Sequence, residues 1–167
     1  MNLRNAKEIA DGIVEKMRPH CERIEIAGSI RRQCPEPGDI EIVYVPKVNG
    51  RNVSALFDII SRMIKVKGDP MGKYTQRLHP GHTDKEQIKV DFFSADRNNW
   101  GLQLAIRTGS AKFSHLKLAV GWSRLAYRSK GGVLYSLVDG KPVYIREEQE
   151  LFDLLGIPWI EPKLRNL

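Results

Sequence analysis

The sequence predicts an α+β fold in two parts: a small mixed sheet flanked by helices over residues 1–98, then a small lobe of helix and hairpin over residues 99–167. Three observations predict it. Residues 3–17 carry apolar side chains at helical spacing, whereas residues 39–45 and 88–93 alternate as strands do. The composition turns basic after Asn98-Asn99, with no Asp or Glu between residues 97 and 138. Asp139-Gly140, set between two apolar runs, signals a tight hairpin in the second part.

The helix over residues 3–17 places Ala6, Ile9, Ala10, Ile13, Val14 and Met17 on one face, and Pro19 stops it. Residues 23–27 alternate into a strand that delivers a Gly28-Ser29 turn. Pro35 and Pro37 keep the next connection non-helical; residues 39–45 form a strand that Pro46 ends. A second helix is expected over 53–63, with Leu56, Phe57, Ile60 and Met63 on its apolar face. Residues 73–78 and 87–94, joined through Pro80-Gly81, read as a hairpin with a polar tip. Residues 100–106 give a short helix. Thr108-Gly109-Ser110 then turns the chain, and its serine caps a helix from residue 111 to about residue 127. On that helix Ala111, Leu118, Trp122 and Leu125 take one side, and Lys117, Arg124 and Arg128 the other, at spacings of seven and four. Gly131-Gly132 breaks it. Residues 133–138 and 142–145 form the hairpin around Asp139-Gly140, and 147–155 a last helix closed by Gly156 and Pro158.

At 167 residues and 41% hydrophobic, the chain can bury a sizeable core. No apolar run approaches the ~18 residues of a membrane span, and the N-terminus lacks the apolar stretch of a secretory signal. The expectation is therefore an intracellular chain that is neither secreted nor membrane-bound. Cys21 and Cys34 are too few for a disulfide framework and are expected as free thiols. His79, His82 and His115, without partnering cysteines, read as loop residues rather than metal ligands. Trp100, Trp122 and Trp159 sit in apolar patterns and read as packing residues. The net charge is +7. Arg97, Arg107, Lys112, Lys117, Arg124, Arg128 and Lys130 fill the acid-free stretch, and a second basic stretch runs over residues 62–89. Single-sign fields of this kind point to a polyanion such as nucleic acid, held with strong salt dependence.

Residues 27–42 carry the chemistry. Side chains at i and i+2 of a strand share a face, so Asp39 and Glu41 present two carboxylates together while Ile40 and Ile42 face the core. Adjacent carboxylates repel unless a cation lies between them. A Gly28-Ser29 turn offers backbone N–H groups to anionic oxygens, and Arg31 and Arg32 add guanidinium donors, Arg31 equally suited to a structural ion pair. Asp91 lies in the strand over 88–93, opposite in facing to Val90 and Phe92, where it would bring a third carboxylate if that strand adjoins the first.

The string Ala27-Gly28-Ser29, nine residues, Asp39-Ile40-Glu41-Ile42, with Asp91 on a later strand, resembles the polymerase beta-like nucleotidyltransferase superfamily. Gly28-Ser29-Ile30-Arg31-Arg32, Thr108-Gly109-Ser110 and residues 156–162 resemble its family X DNA polymerase branch. The resemblance runs from about Ile24 to the C-terminus. It implies a nucleotidyltransferase palm over 1–98 and a thumb over 99–167, a minimal form with no room for a lyase domain or a helix-hairpin-helix lobe. It further implies that Asp39, Glu41 and Asp91 are catalytic and bind two Mg²⁺ ions, for which Mn²⁺ can substitute. Gly28, Ser29, Arg32 and Gly109 would bind the nucleotide, and Lys89 would lie near the primer end. Lys117, Arg124 and Arg128 are assigned to the DNA backbone from the helix face. The implied activity is template-directed addition of dNTPs to a DNA 3′ end in gapped or primer-template DNA, by a monomer. The alternatives are a nucleotidyltransferase with an RNA or template-free acceptor, and a non-catalytic DNA-binding module. Three departures stand out. Glu41 replaces an aspartate, Ser114 replaces an asparagine, and Ile106-Arg107 replaces an aromatic pair that helps exclude ribonucleotides.

Overall fold

The computed structural model describes residues 1–81 and 87–167. Helix α1 (Leu3–Met17) buries the six apolar residues its spacing selects, and the Asn2 side chain caps it by accepting from the Asn5 N–H at 2.9 Å. Pro19 sits in a 3-10 turn (Arg18–His20) that leads into β1 (Cys21–Ile26). Gly28, at φ +59°, opens the single helical turn α2 (Gly28–Arg31), and β2 (Ile40–Pro46) follows. Helix α3 (Gly50–Ser61) is capped by Asn49. Strands β3 (Ile64–Lys67), β4 (Tyr74–His79) and β5 (Ile88–Ser94) complete a five-stranded sheet of order β1-β2-β5-β4-β3. Its central pair, β2 and β5, is parallel, and the other neighbours are antiparallel. The sheet is therefore mixed, within a mixed α/β chain.

Alternation assigns the two faces. Ile40, Ile42, Tyr44, Val90 and Phe92 pack with α1 and α3 in the larger core. Val43, Val45 and Phe93 point the other way, onto Trp100 and Leu104 of α4 (Trp100–Thr108). Glu41 and Asp91 belong to this second face by the same period of two. The opposite side of α4 brings Leu102 and Ala105 into a separate core with Phe113, Leu118, Trp122, Leu134, Leu151 and Phe152. The two parts of the chain thus share a helix. Its close approach to the C-terminal part requires a glycine: a Cβ at Gly101 would overlap the Glu147 backbone.

After α4, Ser110 accepts from the Phe113 N–H at 3.1 Å and starts α5 (Ala111–Phe113). A π-helical segment (Ser114–Ala119) leads into α6 (Val120–Arg124). Strands β6 (Tyr127–Lys130), β7 (Val133–Ser136) and β8 (Pro142–Val143) form an antiparallel three-stranded sheet. Helix α7 (Glu148–Leu154) closes the chain, opened by a capping box of Glu147 and Glu150 and followed by Gly156 at φ +64°.

Several expectations are corrected. The helix expected to reach residue 127 ends at Arg124, because Ala126 takes a φ of +59° that no helix continues. Residues 127–130 are strand instead, and Gly131-Gly132, both at positive φ, turn a hairpin rather than break a helix. Leu125 is therefore half-exposed rather than packed. Phe57, assigned to the buried face of α3, is also half-exposed, while Leu56 and Ile60 are buried. Strand β3 was not expected; all four of its residues are exposed, so no alternation marks it. The expected turn between β4 and β5, with His82 and Lys85, lies mostly outside the described residues. Among the described residues no helix is long and apolar enough to cross a membrane.

Candidate active site

The parallel pairing of β2 with β5 sets Glu41 directly beside Asp91, with Ile40 beside Val90 on the opposite face. Asp39 immediately precedes β2. The three carboxylates that the sequence separates by up to 52 positions thus meet at one end of the central strand pair. The third neighbour is β4, whose Gln76 is in register with Asp91. Gln76 Nε2 donates to Asp91 Oδ1 at 2.7 Å and Tyr74 O–H donates to the same oxygen at 3.1 Å. These two donors fix the Asp91 carboxylate on the sheet.

Across the site lies α2. The Ala27 N–H donates to the Glu41 carbonyl at 2.8 Å, which pins the Gly28-Ser29 turn to β2. The Glu41 carboxylate rests against Gly28, where any Cβ would overlap it. The Ser29 hydroxyl oxygen is buried with no hydrogen-bond partner. A buried hydroxyl lacking a partner is costly unless something else completes it.

The electrostatics are those of an acidic cluster only partly offset by nearby cations. Burial, then Asp39 and Asp91, push the Glu41 carboxyl up to about 7, against the pull of Arg107 and Arg32. Burial and Asp91 raise Asp39 as well, with Lys89 and Arg32 opposing. A divalent cation is the natural relief, because hard cations take carboxylate oxygens. Among the described residues no group of three His, Cys, Asp or Glu side chains is arranged to hold a metal ion as it stands. The donor set nonetheless fits a hard cation, with anionic oxygens on neighbouring strands. Gly28 and the partnerless Ser29 hydroxyl fit an anionic oxygen beside it.

Of the two arginines, Arg31 forms the structural ion pair that was one of its two expected roles. Arg31 makes a two-pronged ion pair with Glu148 at 2.9 and 2.7 Å and donates to Thr108 Oγ1 at 2.6 Å. Glu148 also accepts from the fully buried Arg165 at 2.6 Å. Arg32 donates to the Thr108 carbonyl at 2.8 Å and to Asn166 at 2.7 Å. Both arginines therefore tie α2 to the C-terminal part; Arg32 reaches the carboxylates through its field. Gly109 packs against Phe113 and Ser114, and a Cβ there would lie 2.6 Å from the Phe113 ring. Lys89 is exposed beside Asp39.

Lys117, Arg124 and Arg128 do not share one helix face. Lys117 lies in the π-helical segment, Arg124 ends α6 and Arg128 is on β6. All three are exposed. Arg128 instead lines a cleft of about 890 Å³ between the five-stranded sheet and the hairpin, with Lys73, Tyr74, Phe93, Arg107 and Lys130. Sequence reading missed Tyr74 and Gln76 as site residues, and noted Arg107 only in the basic stretch and as a departure from the resembled family. Only the strand register brings the first two to Asp91. For Arg107 a signal existed: a cation one residue before the Thr108-Gly109-Ser110 turn, where the resembled family has an aromatic side chain.

Residues 103–166 match the family model of the DNA polymerase beta thumb. The match takes in α4 from Gln103 onward, the π-helical segment, the hairpin sheet and α7. No curated protein matches the chain significantly.

Proposed function

We propose that this chain is a polymerase beta-like nucleotidyltransferase that adds dNTPs to a DNA 3′ end, in gaps or at primer-template junctions. The observation that carries the reading is the register of Glu41 with Asp91, Asp39 at their side and the Gly28-Ser29 turn against them, in a chain whose C-terminal part matches a polymerase thumb. The reading treats residues 1–98 as a palm and 99–167 as a thumb.

Asp39, Glu41 and Asp91 would hold two Mg²⁺ ions. When bound, the ions supply Lewis acidity to the 3′-hydroxyl and to the triphosphate. The chain's own residues do the rest. Tyr74 and Gln76 keep Asp91 in one orientation by donating to Oδ1. Gly28 allows an approach that any side chain would block, and the Ser29 hydroxyl has a free donor for a phosphate oxygen. Lys89 places positive charge beside Asp39, where a primer terminus would lie. Lys73, Arg128 and Lys130 line the cleft for a nucleic-acid backbone.

The test is extension of a labelled primer on one-nucleotide-gapped, blunt and single-stranded DNA, with each dNTP or rNTP and Mg²⁺ or Mn²⁺. Template-matched extension is expected, lost with chelator and reduced at least ~10³-fold by Asp91→Ala, since metal-held charge contributes several kcal/mol to such steps. Template-blind extension would redirect the reading to a terminal transferase. DNA binding without extension under any condition would reduce it to a binding module.

A further inference from the structure

The Arg107 guanidinium carbon lies over the Phe93 ring, 4.0 Å from its centroid. Phe93 shares its sheet face with Asp91, two residues away on β5, and stacks on Tyr74 at 5.1 Å. Tyr74 in turn donates to Asp91. Arg107 is thus held beside the carboxylates by a layer of two rings. It bonds to none of them: among the described residues it makes no hydrogen bond or ion pair, and its buried Nε has no partner. An arginine tied only by ring stacking, in a partly buried acidic site, keeps its charge available to whatever enters. The other cations near the cluster are engaged or exposed: Arg32 with Thr108 and Asn166, Lys89 in solvent.

We infer that Arg107 is a positioning residue that serves as the resident counter-cation of the Asp39–Glu41–Asp91 cluster, offsetting its charge in the free protein and lowering its affinity for a divalent cation. The inference rests on the nucleotidyltransferase reading of that cluster. Its physical basis is simple. A fixed positive charge near a cation site opposes a second positive charge arriving there. The placement is geometric: Arg107 lies over Phe93, Phe93 stacks on Tyr74, and Tyr74 donates to Asp91. Arg107 lies in the last turn of α4, the helix shared by both parts.

The test is Mn²⁺ binding followed by electron paramagnetic resonance, on the full chain without nucleotide or DNA. Wild type, Arg107→Gln, Arg107→Lys and Asp91→Asn are compared, with thermal melts confirming each is folded. Arg107→Gln should bind Mn²⁺ about tenfold more tightly than wild type, the effect expected of one charge removed at this range. Arg107→Lys keeps the charge and should restore most of the wild-type affinity; Asp91→Asn should weaken binding. Equal or weaker binding by Arg107→Gln overturns the inference while leaving the nucleotidyltransferase reading intact. So does an Arg107→Lys variant that behaves like Arg107→Gln, because the effect is then packing rather than charge. Absence of Mn²⁺ binding by every form overturns both.

Discussion

Glu41 is a carboxyl held under strain by burial and by its neighbours. Burial and two neighbouring carboxylates raise its folded-state pKa from the ordinary 4.5 to about 7. The folded state therefore holds this proton more tightly than the unfolded state does. The associated stability is fully present below about pH 4.5 and is lost as pH rises through about 7. Glu41→Gln removes the titration, so it should melt higher than wild type at pH 8 and show little difference near pH 4.5. Thermal melts across that range check this, and Mg²⁺ should raise the wild-type melting temperature most at the alkaline end. An equal melting difference at both pH values would count against a strained carboxylate. Gly28 is the second stress point. Its φ of +59° and the Glu41 carboxylate against its Cα leave no room for a methyl group. Gly28→Ala should displace Glu41 and depress Mn²⁺ affinity and primer extension together; unchanged values for both would refute the close packing. Of these residues, the sequence made Asp39, Glu41 and Gly28 legible because a strand period of two and a turn glycine are local signals. Tyr74 and Gln76 were illegible because their part depends on β4 pairing with β5, which no local pattern encodes.

At the scale of elements, the same division holds. Helix α1 was legible in full because one amphipathic stripe packs on one sheet. The stretch after Ser110 was not. A π-helical segment adds a residue to the turn, so a count in steps of three and four drifts off the true face. Ala126 then ends the helix in a conformation that alanine rarely adopts. Lys117, Arg124 and Arg128 scatter over three elements as a result. Edge strand β3 escaped because exposure of both its faces erases the alternation. The packing of α4 on the start of α7 makes a test at this scale. Gly101 meets the Glu147 backbone, which cannot yield as a flexible side chain can. Gly101→Ala should cost about 1–3 kcal/mol, the range for overpacking. Urea unfolding would show it as a lower midpoint at constant slope; a gain in stability, as alanine gives in an unobstructed helix, would mean that the two helices are not so close.

At the scale of the whole molecule, ion pairs join what the two halves of the sequence keep apart. Arg31 of α2 and Arg165 near the C-terminus converge on Glu148 of α7, which is 7% exposed. Arg23 of β1 pairs with Glu147 next to it. The first of these joints is buried and the second is not, so they should contribute unequally. Removing one member of a buried pair leaves an uncompensated charge, a loss of about 3–5 kcal/mol, whereas an exposed pair contributes ~0–1 kcal/mol. Glu148→Ala would leave two guanidinium groups facing each other without their carboxylate; Glu147→Ala would free an exposed Arg23 and remove the cap of α7, a loss of about 0.5–2 kcal/mol. Urea unfolding should therefore show Glu148→Ala as the less stable of the two despite adjacent positions. The consequence reaches the candidate site. Arg31 lies two residues from Ser29, and Thr108, which it also holds, immediately precedes Gly109. Freeing Arg31 should loosen the turn against Glu41 at temperatures where the chain is still folded. Glu148→Ala should then raise the nucleotide concentration needed for half-maximal extension, while Glu147→Ala leaves it near wild type. Equal effects of the two variants, on stability and on that concentration, would show that the buried joint is not what sets α2 in place.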